Sequence, residues 1–489
     1  AWIDVENLET VHARPGYDIV TTINLDLQDV AEHALYRQLS KSNAHHGCVV
    51  VMEVHTGDIK AIANLEKGSD GAYHETYNYA VGESTEPGST FKLMSMITAL
   101  EDGVVDLDDT INTGDGTVKY YDKIIRDHEE KGLGKITARE VFEHSSNVGT
   151  AKIIYENYKD NPRRYVDRLY SMQINKQLDL QIKGEGKPVI RYPGEKLWSG
   201  ISLPMMAYGY EVQMTPIQIL TFYNAVANDG KMVKPRFVTE VRDGNWPIKT
   251  YDTEVITNAI CSRSTIKKAQ SLLEGVVENG TAKNLRNSNY KIAGKTGTAQ
   301  IANEKYGYRS GERISYQASF VGYFPADDPL YSCIVVVNAP SNYVYYGNVV
   351  AGPVFKEISD KVYATSFYRN LVALAPPEDK PLKAPDAGNG YYEDINKTLR
   401  TLNIKAKRNA DSDWVRTRES GDTLRVVDLT LNEGLMPNVV GMGLRDAIYL
   451  LENNGLRVHY SGRGKVVRQS PQPGVKISRG ATVAVELKL

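Results

Sequence analysis

The chain has 489 residues, 41% of them apolar and 24% charged, with a formal net charge of −2. That length accommodates about two to four domains, and the near balance of charge excludes the basic surplus a nucleic-acid partner requires. Three cysteines, Cys48, Cys261 and Cys333, are too few and too scattered for a disulfide framework or a metal site.

No run of about 18 apolar residues occurs, so nothing reads as a membrane span. The chain begins at Ala1 without a Met or a signal peptide, which suggests a piece of a parent whose anchor lies upstream. In chain order, Asp18–Asn24 alternates like a strand, and Leu25–Leu35 has helical spacing. Gly47–Val54 and Ile59–Asn64 flank His55-Thr-Gly-Asp58, a hairpin with Gly57 in the turn. Cys48 lies in the first of these apolar runs and Cys333 in a later one, so both read as buried, inert thiols. The stretch 87–285 reads as mainly helical. Gln317–Phe324 and Leu330–Val337 are strands around the turn Pro325-Ala-Asp-Asp-Pro329. Strands at both ends of a helical interior predict an α+β domain whose sheet is assembled from distant segments.

Residues 373–392 are rich in Pro, Gly and charge and read as a linker. From 436 to 489 the tail reads as a unit of its own. It has a helix near Arg445–Asn454 closed by Gly455, a strand at Leu456–Tyr460 and a last strand at Thr482–Leu487. Asp394–Ile404 resembles Asp446–Leu456, which leaves 393–435 either a connector or a degenerate copy of the tail.

A nucleophile is sought first in Ser-x-x-Lys, because residues three apart on a helix share a face and the amine can serve the hydroxyl as base. Three such strings occur. Ser264…Lys267 reads as an N-cap serine opening an amphipathic helix, and Ser288…Lys291 lies in a polar loop. Ser89…Lys92 instead opens the nearly uncharged helix Thr90–Leu100, where a lysine is costly unless desolvation is being used to lower its pKa. An N-cap serine beside a snorkelling lysine explains that string equally well by itself. Ser145-Ser-Asn147 is the single Ser-x-Asn, and alone it reads as a polar helix–turn junction. Lys295-Thr296-Gly297-Thr298 is the single Lys-[Ser/Thr]-Gly; its lysine precedes the glycine and no helix follows, so it is not a nucleotide-binding loop. In a strand, Gly297 would let a ligand backbone lie close.

Together and in this order, the three motifs resemble those of penicillin-binding proteins and serine β-lactamases. Residues 14–372 are similar to the transpeptidase domain of a class B penicillin-binding protein of the division or sporulation type. Gly209–Gln218, Ala227–Gly230, Ala318–Pro325 and Ala351–Phe355 add to the likeness, whereas Met214 and Asn24 depart from the usual Val and Asp. The tail 436–489 resembles a PASTA module, and 1–13 would be the remnant of a pedestal region. The resemblance implies an antiparallel sheet flanked by helices, with a helical subdomain, plus a small β–α–β unit.

It also implies a peptidoglycan D,D-transpeptidase that cross-links stem peptides through a serine acyl-enzyme and is trapped by β-lactams. Ser89 would be the nucleophile and Lys92 its base, kept neutral with help from the charge of Lys295. Ser145 would relay a proton, and Asn147 would hold Lys92 and the substrate amide. Lys295, Thr296 and Thr298 would bind the terminal carboxylate, and the backbone N–H groups of Ser89 and Thr298 would form the oxyanion hole. No cofactor or metal is implied. The implied partners are donor and acceptor stem peptides, β-lactams, a membrane glycosyltransferase and division proteins, all met outside the cytoplasm. A D,D-carboxypeptidase remains open, as does a β-lactamase, although no Glu-x-x-Leu-Asn string supplies the water-activating base. A non-catalytic peptidoglycan-binding scaffold is the third alternative, and no aromatic cluster in the tail marks a sugar platform.

Overall fold

Strand β1 (His46–Glu53) is buried along all but its last residue, as its unbroken apolar run demands of a strand covered on both faces. In the computed structural model, residues 16–129, 131–301, 315–341, 344–374, 387–402, 404–420 and 423–488 are described. The expected pedestal remnant and residues 375–386 of the expected linker lie outside them. The chain forms two compact units, Ala1–Arg369 and Asn370–Leu489.

In the first unit β1 pairs on one side with β2 (Ile59–Lys67), which leads to the short β3 (Tyr73–His74). On its other side come β6 (Tyr331–Asn338), β5 (Tyr316–Phe324) and finally β4 (Ala293–Gln300) at the edge, all antiparallel. The sheet thus joins segments nearly 250 residues apart, as the strand pattern at the chain's two ends predicts. The β1–β2 turn carries Gly57 at φ +79, where a Cβ would stand 2.4 Å from the Lys234 carbonyl oxygen.

Helix α1 (Leu25–Ser42) is capped by Asn24, whose side chain accepts from the Leu27 N–H (3.1 Å). It covers one face of the sheet beside the C-terminal helix α7 (Gly352–Leu374). There Leu35 and Leu39 fill the space above Gly47, Phe355 meets Phe320 edge-on, and Arg37 pairs with Glu357. On the opposite face α5 (Pro216–Ala227) docks through Asn224, which accepts from Ser332 Oγ (2.7 Å). The helix α2 (Lys92–Glu101) that follows Ser89 lies on that face too, since Thr90 packs over Gly297.

The stretch 87–285 is less helical than its sequence suggests. Besides α2, α3 (Ala138–Glu143), α4 (Asn147–Tyr158), α5 and α6 (Arg263–Glu278), it holds the hairpin Thr117–Tyr120/Lys123–Arg126, the pair Thr110–Gly114/Gly134–Thr137, and the ribbon Val238–Asp243/Trp246–Thr250. These strands are short and largely exposed, so they carry little hydrophobic alternation to read.

The second unit holds two helix-plus-three-strand segments of one topology. The first is α8 (Tyr392–Thr401) with β7 (Ala406–Asn409), β8 (Trp414–Ser420) and β9 (Thr423–Asp428). The second is α9 (Leu444–Asn453) with β10 (Arg457–Gly462), β11 (Lys465–Ser470) and β12 (Thr482–Lys488). In each, the last strand is parallel to the first and antiparallel to the second.

Candidate active site

Ser89 lies in a 3₁₀ turn, Gly88–Phe91, that runs directly into α2 at Lys92. In such a turn residues three apart eclipse, so the hydroxyl and the amine rise from the same side of the chain. Gly88 has φ +55, and a Cβ there would press on Ala299 of β4 (3.0 Å), so the turn sits directly against the edge strand. The Gly88 N–H donates to the Gly209 carbonyl (3.1 Å). Gly209 itself, at φ +90, leaves only 2.0 Å between a hypothetical Cβ and the Gly88 oxygen. Glycine is therefore required at 209 to hold the Ser89 turn in place.

Ser145 and Asn147 come from the junction of α3 and α4. Thr137 and Glu140 form a capping box that starts α3, and Ser146 caps α4 by accepting from the Gly149 N–H (2.8 Å). Between them Ser145 takes φ +58, a strained conformation for a residue with a side chain. Lys92 Nζ donates to the Ser145 carbonyl (2.6 Å), to Ser145 Oγ (3.1 Å) and to Asn147 Oδ1 (2.7 Å). The Asn147 amide donates at its other end to the Arg126 carbonyl (2.9 Å), which fixes its oxygen toward the lysine. From β4, Lys295 Nζ donates to the same Ser145 Oγ (2.8 Å) and to the Thr296 carbonyl (3.1 Å). One hydroxyl therefore bridges two amines, and neither amine has any solvent exposure.

Burial pushes the Lys92 amine down to about 7, against a partial opposing pull from Asp127. Lys295 is held well below the ordinary lysine range by burial and by the charge of Lys92. The sequence reading credited the charge of Lys295 with keeping Lys92 neutral. Burial is the larger cause at both amines, and the two lysines, facing each other across Ser145 Oγ, disfavour one another's charge. Asp127 is a functional residue the motifs do not mark. Its carboxylate accepts from Ser146 Oγ (2.8 Å) and the Val148 N–H (2.9 Å), tying the strand before it to the start of α4.

A cleft opens over these groups in two adjoining lobes of about 310 and 380 Å³, and Ser89, Asp127, His128 and Thr298 line both. The first lobe continues past Asn147, Lys123, Arg126 and the tyrosines 208, 210, 316 and 345, with Tyr316 and Tyr345 stacked at 4.0 Å. The Gln300 N–H at the end of β4 donates to Tyr210 Oη (3.2 Å). The second lobe reaches Glu129, Ser145, Thr281 and Thr296, and Thr281 and Thr296 join hydroxyls at 2.8 Å. Gly297 is also required by the packing of the protein itself. A Cβ there would meet Ser319 Oγ at 2.2 Å and Thr90 Cγ2 at 2.9 Å, so the missing side chain makes room for protein packing.

The two competing Ser-x-x-Lys strings line neither lobe. Ser262, not Ser264, caps α6; Ser264 follows two residues later, with Lys267 paired to Asp229 (3.0 Å). Lys291 pairs with Glu274. Cys48 and Cys333 are buried and Cys261 partly so, with burial raising all three thiols.

The family model for the penicillin-binding protein transpeptidase domain matches residues 47–360, most of the chain and every group just described. The chain belongs to this family. A PASTA domain model matches 434–488. Stage V sporulation protein D of Bacillus subtilis is 26% identical over 486 residues, 97% of this chain and 66% of that protein. Peptidoglycan D,D-transpeptidase FtsI of Escherichia coli is 28% identical over 370 residues, 74% of this chain and 58% of that one. The chain thus spans less than two thirds of these relatives. Among solved structures, penicillin-binding protein 3 of Mycobacterium tuberculosis in complex with aztreonam is 25% identical with a TM-score of 0.63, covering 75% of this chain and 83% of that one.

No described helix of the transpeptidase domain or the tail is long and apolar enough to cross a membrane. The unit Asn370–Leu489 holds an aromatic cluster to which the tail 436–489 contributes Tyr449 and the segment before it Tyr391 and Trp414. Trp414 stacks on Tyr449 (6.0 Å) and meets Tyr391 edge-on (5.8 Å) in a groove of about 670 Å³ with Asp394, Asp413 and Arg445.

Proposed function

We propose that this chain is the catalytic part of a peptidoglycan D,D-transpeptidase working through Ser89. The observation that carries the proposal is the Ser145 hydroxyl, shared by two buried amines from different parts of the sequence and lining one cleft with Ser89. Ser89 Oγ attacks the carbonyl of the penultimate D-Ala while neutral Lys92 takes its proton. As the C–N bond breaks, Lys92 returns that proton through Ser145 to the leaving D-Ala nitrogen. An amine of a second stem peptide then forms the new C–N bond. Its proton follows the same route back to Ser89 as the ester C–O bond breaks.

Asn147 orients Lys92 and a substrate amide. Thr296, Thr298 and Lys295 receive the terminal carboxylate, whose negative charge draws a proton back onto Lys295. The N–H groups of Ser89 and Thr298 supply the oxyanion hole. A β-lactam fits the same seat and acylates Ser89. Hydrolysis instead of transfer would make the chain a carboxypeptidase, or with fast β-lactam turnover a β-lactamase. Relatives named as transpeptidases favour transfer, and the assembled lysine pair argues against a non-catalytic scaffold.

The site acts outside the cytoplasm, with an anchor supplied by chain upstream and with a membrane glycosyltransferase and division proteins as partners. Residues 387–428 are a degenerate second copy of the tail module, supported by the shared strand order and by helices beginning 52 residues apart. The aromatic groove favours glycan binding by this unit over a spacer role. Labelled penicillin tests the core of the proposal: Ser89→Ala abolishes labelling and Ser264→Ala retains it. Labelling that survives Ser89→Ala overturns it.

A further inference from the structure

The two lobes of the cleft differ in charge. Lys123 and Arg126 line the first, whereas Glu129 lines the second, and Asp127 and His128 stand between them. In a transfer reaction the leaving amine and the attacking amine occupy the same place at the acyl carbon, because one step is the chemical reverse of the other. Of the carboxylate-binding threonines, Thr298 lines both lobes and Thr296 the second, which puts the departing terminal D-Ala, and with it the acceptor, on the side of the second lobe. An acceptor amine is cationic near neutral pH, and the carboxylates of that lobe suit it electrostatically.

Among the polar groups in this lobe that the mechanism above leaves unused, His128 is the one that lines both lobes with a ring able to accept. Its ring is open to the cleft, meets the Tyr346 ring edge-on (centroids 6.0 Å, 79°), and has no hydrogen-bond partner among the described residues. We propose that His128 is the acceptor-binding residue, its imidazole taking a hydrogen bond from the incoming amine and holding it over the Ser89 ester. This rests on the transpeptidase reading and adds to it the group that selects an amine over water. The groups around the imidazole are Lys92, Asp127, Lys295 and Glu129, with His144 lining the same lobe. The cleft walls and then Lys92 and Lys295 lower its pKa while Asp127 and Glu129 oppose them, so the ring is neutral at pH 7 and free to accept.

The test uses the whole chain acylated by a thioester donor, with D-alanine as the acceptor probe. The readout is the partition between hydrolysis and transfer, with labelled-penicillin acylation as the fold control. His128→Ala should raise the D-alanine concentration needed for half-maximal transfer about tenfold more than it changes acylation, as loss of one charge-assisted hydrogen bond predicts. His128→Gln, which keeps an acceptor oxygen, should recover part of that loss. In the parent chain the D-alanine requirement should climb as pH falls and the ring protonates, and in His128→Ala, where only protonation of the amine itself remains, that climb should be less steep. An unchanged D-alanine requirement in His128→Ala overturns the proposal, as does an equal loss of acylation and transfer. Failure of the underlying reading shows differently: no Ser89-dependent acylation, or no transfer by the parent chain.

Discussion

In the proposed mechanism the neutral form of Lys92 makes Ser89 reactive, and the pH dependence of acylation measures it. Burial moves this amine from 10.5 to about 7. At pH 7 about half of the molecules then carry the neutral base, against roughly one in three thousand for a lysine at its ordinary value. The folded site thus raises the reactive population by about three orders of magnitude. The rate of acylation by labelled penicillin, followed by stopped flow from pH 5 to 9, should rise with pH along a limb centred near 7 and then level. Asp127→Asn gives the sign a second check. The carboxylate favours the charged amine, so removing it should move the limb to lower pH. Asparagine can still accept from the Val148 N–H, so the start of α4 keeps one of its ties. A limb centred near 10 would mean that Lys92 stays an ammonium, and a shift to higher pH in Asp127→Asn would refute the electrostatic reasoning.

Ser145→Ala removes the hydroxyl between the two lysines and should slow acylation by about a hundredfold or more with the melting temperature little changed, as loss of a proton relay predicts. Gly209→Ala forces a Cβ against the Gly88 carbonyl at a positive φ, and should cost about 2–4 kcal/mol in a denaturant melt and disable acylation with it. Glu143 is buried, its Oε1 makes no hydrogen bond among the described residues and has Arg139 only at 4.0 Å, and burial raises its carboxyl against the pull of Arg139. A raised folded value favours folding below the unfolded pKa and loses that advantage as pH climbs through the folded one. Glu143→Gln should therefore raise the melting temperature at pH 8, by a margin that shrinks toward pH 4.5. Trp414→Ala should weaken pelleting of the chain with purified peptidoglycan, with penicillin labelling measured alongside as a control for folding.

The parts of the site that sequence made legible are those where chemistry forces unusual residues together. A lysine in an uncharged helix at 92, a lysine in a small-residue strand at 295 and a Ser-x-Asn at 145 each break a local rule, and the structure brings all three to one hydroxyl. Asp127, His128 and Gly209 escaped because an acidic residue, a histidine and a glycine in polar turns break no rule. Their importance arises only where distant segments meet. The packing need for Gly297 was hidden for the same reason: its neighbours Thr90 and Ser319 lie in other elements. The aromatic groove likewise joins residues 391, 414 and 449, too far apart for any local pattern to expose.

The sheet has a consequence for the order in which this protein comes into being. Strand β6, which sits between β5 and β1, is the last of the six to leave the ribosome, and within the sheet it is the strand that joins β4 and β5 to the rest. Ser89 is synthesised some 200 residues before Lys295 and nearly 250 before that fastening strand is complete. A chain halted before residue 295 lacks the second lysine of the site, and one halted before residue 338 lacks part of the strand that joins β4 and β5 to β1. In the proposed mechanism catalysis is therefore a property of the finished polypeptide, completed only by sequence made long after Ser89.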